Sequence, residues 1–470
     1  MRTGVRLLVL IVAIACAVAA VPSKDTASAA QSSSLRRYPY LTDLVTSYVT
    51  VNWATTTGVT AGTVRYGRSG TESCTANSVT ATKTSITVGS TKEYQWKAML
   101  SGLQPNTAYC YRIYGAATDL LGSDPSPIFR SQVAAGSSAP YSFAVFGDWG
   151  YVGSSGQNAD QARLMGEIAD SGARFAITTG DTAYDDGSQR SYGDLVQTGP
   201  ATSTIFGPSF WTVAGDSIPL FNTQGNHGMN GVGLVNWPQD RAVASSEGRY
   251  RTETYCCFND TDPRSYPSTW YAFDAGPARF YVLEASWSNS NVGDADLYEN
   301  DYDAHWTSSR AEYQWLADDL ATHPRSMSFA FFHFPMYSDN TSETSDTWLT
   351  GSSRLEGLLA NYGVDIVFNG HAHIYQRNRA SATGRPVSYV TGGGGAPLQT
   401  VKKCTSIDQY AIGWTNSSAV HGSACGSAPR PTTADRVFHF LLVSVNGSQV
   451  TVTPTDELGR TFDVKSYTFG

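Results

Sequence analysis

At five places in this chain of 470 residues, an apolar run stops at a short polar segment carrying a metal-binding side chain. The runs are Tyr141–Phe146, Arg174–Thr179, Pro219–Thr223, Met327–Phe332 and Val364–Phe368. The segments that follow are Gly147-Asp-Trp-Gly150, Gly180-Asp-Thr-Ala-Tyr184, Gly225-Asn-His227, His333 and Gly370-His-Ala-His373. Short runs rich in β-branched and aromatic residues, apolar on both faces, suit strands covered by other layers. Between several of them the spacing changes to that of helices. Gln157–Asp170 brings Ala162, Leu164, Met165 and Ile168 onto one face, and Ser309–Thr322 does the same with Tyr313, Leu316, Ala317 and Leu320. Strands alternating with helices make an α/β fold, and side chains just past the carboxyl ends of its strands converge on one crevice.

The converging residues form a chemically coherent set. Carboxylates from Asp148 and Asp181, a phenol from Tyr184, a carboxamide from Asn226 and imidazoles from His333, His371 and His373 offer hard and borderline donors for two metal ions. Of the eight histidines, four (His227, His333, His371, His373) fall in these segments. Such agreement of type, order and context points to a site rather than to satisfied core histidines. His305, His323, His421 and His439 are expected to be structural. Asp185 and Asp186 are expected as turn acids before Gly187. Gly392–Gly395 lacks the Lys-Ser/Thr that follows a phosphate-cradling loop, so a tight turn at the rim of the site is expected there.

These motifs resemble those of the purple acid phosphatases, within the calcineurin-like metallophosphoesterases. That pattern runs D, GDxxY, GNH, VxxH and GHxH; here it stands as Asp148, Gly180–Tyr184, Gly225–His227, Ala330–His333 and Gly370–His373. The flanking strings Thr269–Phe273, Gln314–Leu316 and Val364–His371 are similar too, and the resemblance covers roughly residues 36–470. It implies a four-layer α/β/β/α catalytic domain. It implies further that Asp148, Asp181, Tyr184 and His373 hold Fe(III), and that Asn226, His333 and His371 hold divalent zinc, iron or manganese, with Asp181 bridging. Phenolate and carboxylate suit the ferric ion, imidazole and amide oxygen its partner. A metal-bound hydroxide would attack the phosphorus of a phosphomonoester while His227 hydrogen-bonds the phosphate or leaving-group oxygen. Two positions depart from the pattern. Gly228 replaces the acid that usually follows GNH, and Ser338–Trp348 has no second outer-sphere histidine.

The amino end sets the compartment. Arg2 and Arg6 precede the apolar run Leu7–Val21, and Ala27-Ser-Ala29 is a small-residue cleavage pattern, so residues 1–30 are expected to be a secretory signal peptide. No later segment has the length of an apolar span. Cys16 is poorly placed for lipidation and leaves with the leader. Six cysteines remain in an oxidising compartment: Cys74 and Cys110 should pair, as should Cys404 and Cys425. Cys256-Cys257 is either a vicinal disulfide or two free thiols. Asn259, Asn340, Asn416 and Asn446 head glycosylation sequons.

Residues 36–131 have a different texture. Alternating stretches such as Tyr48–Trp53, Ala61–Tyr66 and Tyr109–Tyr114, separated by turn signals, predict a small β-sandwich. Leu103–Tyr109 resembles the corner of fibronectin type III domains, which precede the catalytic domain in plant-like purple acid phosphatases. Residues 132–140 are expected as a linker and 141–470 as the catalytic domain, closed by three strands over Val437–Ser444, Gln449–Thr453 and Thr461–Phe469. A net charge of −8 without a basic stripe excludes a stable nucleic-acid partner. The expected function is a secreted acid phosphatase acting on small phosphorylated substrates, with no membrane association. A phosphodiesterase or nucleotide pyrophosphatase on the same frame is the alternative, and a non-catalytic secreted binding protein is the alternative of another class. Oligomeric state and natural substrate are not written in the sequence.

Overall fold

The computed structural model describes residues 32–151, 158–184, 215–228, 252–255, 264–267, 270–285, 305–379, 386–401, 407–414 and 431–470, apart from residues 46, 89, 90, 183 and 224. The expected signal peptide, Asp185, Asp186, His421, Cys256-Cys257 and the pair Cys404 and Cys425 lie outside the described residues.

Two sheets face each other at the centre of the catalytic part. In the first, Tyr141–Phe146 runs parallel to Phe175–Thr178, which runs parallel to Leu220–Phe221. On its other side Tyr141–Phe146 pairs antiparallel with His439–Asn446, followed by Gln449–Asp456 and Lys465–Thr468, the three closing strands. In the second, Ala278–Val282, Met327–Phe331, Ile366–Asn369 and Val387–Thr391 are parallel neighbours, flanked by antiparallel Tyr271–Ala275 and Tyr375–Asn378, with Asp408–Ile412 at the edge. Phenylalanines from both sheets fill the space between them. Phe143 stacks on Phe175 at 5.4 Å and meets Phe280 edge-on at 5.1 Å, while Phe331 stacks on Phe368 at 5.1 Å. Offset and edge-to-face pairs of this kind add to what burial alone contributes.

The period of two decides which face each residue covers. Phe329, Phe331, Ile366 and Phe368 join the core between the sheets, whereas Ala330, Phe332 and Val367 join a second core outside them. Helices Ala311–Thr322 and Leu355–Asn361 close that second core with Trp315, Leu316, Leu320, Leu355, Leu358 and Leu359. Helix Ala159–Asp170 covers the first sheet and buries Leu164, Met165 and Ile168. Its cap is Asn158, whose side-chain oxygen accepts from the Gln161 N–H. The layers are therefore helix, sheet, sheet, helix. Among the described residues no helix is long and apolar enough to cross a membrane.

The amino-terminal β-sandwich is built on Trp53 stacked against Trp96 at 6.0 Å and Tyr109 against Phe129 at 5.8 Å. The resemblance at Leu103–Tyr109 has a physical counterpart: the Gln104 N–H donates to the Tyr109 hydroxyl at 2.9 Å, fixing the corner. Cys74 and Cys110 are bonded. The sandwich is not hung on a tether. Leu35–Val45 pairs in parallel with Leu220–Phe221 (Thr42 opposite Leu220), so ten strands run as one sheet through both parts. At the start of the segment expected as a linker, Gln132 and Val133 are buried and Gln132 donates to the Leu44 carbonyl at 3.0 Å, while residues 134–140 are half-buried or exposed.

Candidate metal centre

Each candidate ligand sits on a turn leaving a strand. Asp148 follows Tyr141–Phe146, Asp181 follows Phe175–Thr178, and Asn226 and His227 follow Leu220–Phe221, all in the first sheet. His333 follows Met327–Phe331, and His371 and His373 follow Ile366–Asn369, in the second. The turns are sharp. Asp148, Asp181 and His371 all hold left-handed backbone, with φ of 55°, 52° and 67°, which costs each of them on the order of 1–3 kcal/mol. The motif glycines are required by crowding. A Cβ on Gly225 would lie 2.2 Å from Asp181 Oδ1, and one on Gly370 would lie 2.6 Å from Asp148 Oδ2.

The side chains divide into two groups around Asp181. On one side its Oδ2 accepts from the Tyr184 hydroxyl at 2.8 Å; that hydroxyl also lies 3.3 Å from Asp148 Oδ1 and 3.1 Å from His373 Nε2. On the other side Asp181 Oδ1 lies 3.3 Å from His333 Nε2, which is 2.8 Å from Asn226 Oδ1. Asp181, His333 and His371 bring their donor atoms within 4.8 Å of one another. His227 is half-buried, its ring 4.3 Å from that of Tyr184, and its backbone N–H donates to Asp181 Oδ1 at 2.8 Å. All eight residues expected at the site thus come together.

The imidazoles are held from behind. His333 Nδ1 lies 2.7 Å from the Thr179 carbonyl and His373 Nδ1 lies 2.7 Å from that of Pro397, which leaves Nε2 of each facing the centre. The His371 N–H donates to both Asp148 oxygens, at 3.0 and 2.9 Å. The expected glycine turn at the rim packs against this loop: the Gly394 N–H donates to Gly147 and the Ala396 N–H to Asp148, at 2.9 and 2.7 Å.

The electrostatics are those of an anionic cradle. Burial pushes the Asp181 carboxyl up, but His333 and His227 outweigh it and hold it well below the usual carboxylate range. Burial pushes His333 down, yet Asp181 raises it to about 9, so without an ion a protonated imidazole supplies the positive charge. His373 is raised against burial by Asp148. Burial, then Asp181 and Asp148, raise the Tyr184 phenol far above its ordinary value. A multivalent cation reverses that logic, because it favours the deprotonated form of every donor. Two buried carboxylates, a half-buried phenol between them and three imidazoles fit metal ions better than they fit any arrangement of protons.

One contact was not foreseen. Glu343 Oε2 lies 2.8 Å from His371 Nε2. It comes from the stretch noted above for lacking a histidine, and the His371 hydrogen bond holds its carboxyl below the ordinary value. Its loop is tied together: Asn340 Oδ1 accepts the N–H groups of Ser342 and Glu343, and Asn340 Nδ2 donates to Gln399. The same bonds bury Asn340 and take it out of reach as a glycosylation site. No spacing rule distinguishes Glu343 from Asp339 or Asp346 nearby. The remaining described histidines have other partners. His305 bonds buried Glu312 at 2.6 Å, His323 ends a helix near Asp319, and His439 packs edge-on to Tyr375.

Comparison with known proteins agrees with this geometry. Residues 38–144 match the purple acid phosphatase N-terminal domain, and residues 141–375, half of the chain, match the calcineurin-like phosphoesterases. Purple acid phosphatase 15 of Arabidopsis thaliana is 26% identical over 302 residues, 59% of this chain and 48% of that one. An acid phosphatase of Aspergillus ficuum is 24% identical over 373 residues, 59% of each chain. A purple acid phosphatase structure from yellow lupin seeds shares the fold, with a TM-score of 0.65 at 16% identity, over 92% of this chain and 74% of that one. The chain belongs to the purple acid phosphatase family of calcineurin-like phosphoesterases. It spans 48% to 62% of the length of the first three curated relatives.

Proposed function

We propose that this chain is an exported acid phosphatase that hydrolyses phosphomonoesters at a dinuclear centre of Fe(III) and a divalent zinc, iron or manganese ion. The observation that carries the proposal is the position of Asp181, whose two oxygens face two separate donor groups. Asp148, Tyr184 and His373 would hold the ferric ion, and Asn226, His333 and His371 the divalent one, with Asp181 between them. Bound there, the pair would supply Lewis acidity toward a phosphoryl oxygen and acidify the hydrolytic water.

The chain's own residues do the positioning. His227 is the group assigned to the substrate rather than to an ion. Its backbone N–H is committed to Asp181, which fixes the ring beside Tyr184 and directs it toward the phosphate or leaving-group oxygen. Gly370 and Gly225 let the loops approach until the carboxylates are dry, and a dry site strengthens each charge interaction within it. Export rests on the leader read at residues 1–30.

The test is metal analysis with rates. Purified protein should contain two ions per chain, one of them iron, and should hydrolyse a phosphomonoester faster than the matching diester. Preference for the diester would select the phosphodiesterase alternative. Protein without stoichiometric metal and without either activity would leave only a binding role.

A further inference from the structure

The opposite end of the first sheet carries a second polar feature. A cleft of about 910 Å³ opens on the seam between the sandwich and the catalytic sheet. It is lined by the starts of the strands, Tyr141 and Ser142, by Arg174 just before Phe175, and by Ser444 at the far end of the antiparallel neighbour. Six to seven residues of extended chain separate this end from Asp148, roughly 20 Å at strand rise. It is therefore a different site from the metal centre.

Two guanidinium groups meet there on a neutral amide oxygen. Arg130 Nε and Arg174 Nη2 both donate to Asn106 Oδ1, each at 2.8 Å, so these nitrogens are at most 5.6 Å apart (2.8 + 2.8). Among the described residues no acidic side chain lines the cleft, although lining Ser217 donates to the Asp216 carboxylate behind it at 2.7 Å. Arg174 Nη1 reaches the Ser131 carbonyl at 2.6 Å, and its buried Nε has no hydrogen-bond partner. Like charges converging in a partly dry cleft are unfavourable unless a counter-charge joins them. The molecule shows the strain: burial, then Arg130, push the Arg174 guanidinium down to about 10. Hydroxyls of Ser142 and Ser444 line the same walls, 2.9 Å apart. Guanidinium forks with neighbouring hydroxyls present more donors than a single carboxylate can accept, and they match a phosphoryl group.

We propose that this seam cleft binds a phosphate-class oxyanion, held between Arg130 and Asn106 of the sandwich and Arg174 of the catalytic sheet. The anion joins the two parts of the chain at a point where their charges otherwise repel.

The experiment uses the full, metal-loaded protein titrated calorimetrically with inorganic phosphate, and in a second arm with phenylphosphonate, whose C–P bond this chemistry does not cleave. Arg130 is exposed and its substitution leaves the core intact. Arg130→Glu should remove one class of sites or weaken it at least tenfold, while Arg130→Lys keeps it and hydrolysis is unchanged in both. Because the comparison is with wild type, it isolates the cleft whatever the metal centre binds. Phenylphosphonate binding ten times tighter than phosphate in the Arg130-dependent class would mark the ligand as an organic phosphate; equal binding would mark it as the free ion. Superimposable isotherms of wild type and Arg130→Glu in both arms would overturn the proposal.

Discussion

Glu343 Oε2 stands 2.8 Å from Nε2 of His371, so a carboxylate backs one of the imidazoles at the centre. An imidazole donating from Nε2 keeps the Nδ1 lone pair for a cation, and the carboxylate makes that lone pair more basic. Truncation, as Glu343→Ala, should weaken one of the two metal sites about 10–100-fold and leave the other unchanged. Glu343→Gln should recover part of the loss. Competition with a graded chelator series measures this directly, and equal affinity in wild type and Glu343→Ala would remove Glu343 from the proposed centre.

The divergence between sequence and structure here has a physical cause. Asp148, Asp181, Tyr184, Asn226, His333, His371 and His373 were legible because each sits one turn beyond a strongly apolar run, where position alone assigns it to the crevice. Glu343 sits in a loop held by Asn340 and Gln399, and its approach to His371 depends on that folding rather than on spacing. Helix Leu355–Asn361 escaped for a related reason: seven residues give too few turns for an amphipathic period to show. The continuous sheet was also hidden. The Thr42–Leu220 pairing joins segments 178 positions apart (220 − 42), and no local pattern marks it.

Asp181 should be the least replaceable residue. With oxygens facing both donor groups, its neutralisation disturbs both at once. Asp181→Asn should lose at least one ion and lower turnover by several orders of magnitude, measured as metal per chain and kcat in the same preparation. Full metal content with near-normal turnover would exclude the bridging role.

His439 predicts how stability responds to acid. It is fully buried behind the site, with Nε2 3.1 Å from Thr391 Oγ1 and Nδ1 2.5 Å from the Val437 carbonyl, and burial lowers it from 6.5 to about 4. Below pH 6.5 the unfolded chain takes up a proton that the folded chain refuses until about pH 4. Stability is therefore lost as pH falls through that window and is flat above it. Each tenfold difference in proton affinity is about 1.4 kcal/mol, so the full window removes roughly 3 kcal/mol. His439→Gln keeps a polar side chain without the charge, and its urea midpoint should fall less between pH 7 and pH 4.5 than that of wild type. Parallel profiles for the two proteins would show that another group controls the acid limb.

Tyr184 gives the most visible test. Its hydroxyl touches two buried carboxylates and His373, and burial with those charges raises the phenol far above its ordinary value. No phenolate forms there at neutral pH unless a multivalent cation offsets the carboxylates. If Fe(III) occupies this half of the centre, the bound phenolate should give a charge-transfer band and colour the protein. Tyr184→Phe should abolish the band while the other six donors keep both ions. Part of the turnover should persist, because a phenolate there would tune the ferric ion without contacting the phosphoryl group. A visible spectrum recorded with iron content and rate on the same sample decides the matter. Colourless wild-type protein with stoichiometric iron and full activity would remove Tyr184 from the ligand set and reduce Fe(III) to one choice among several for that position.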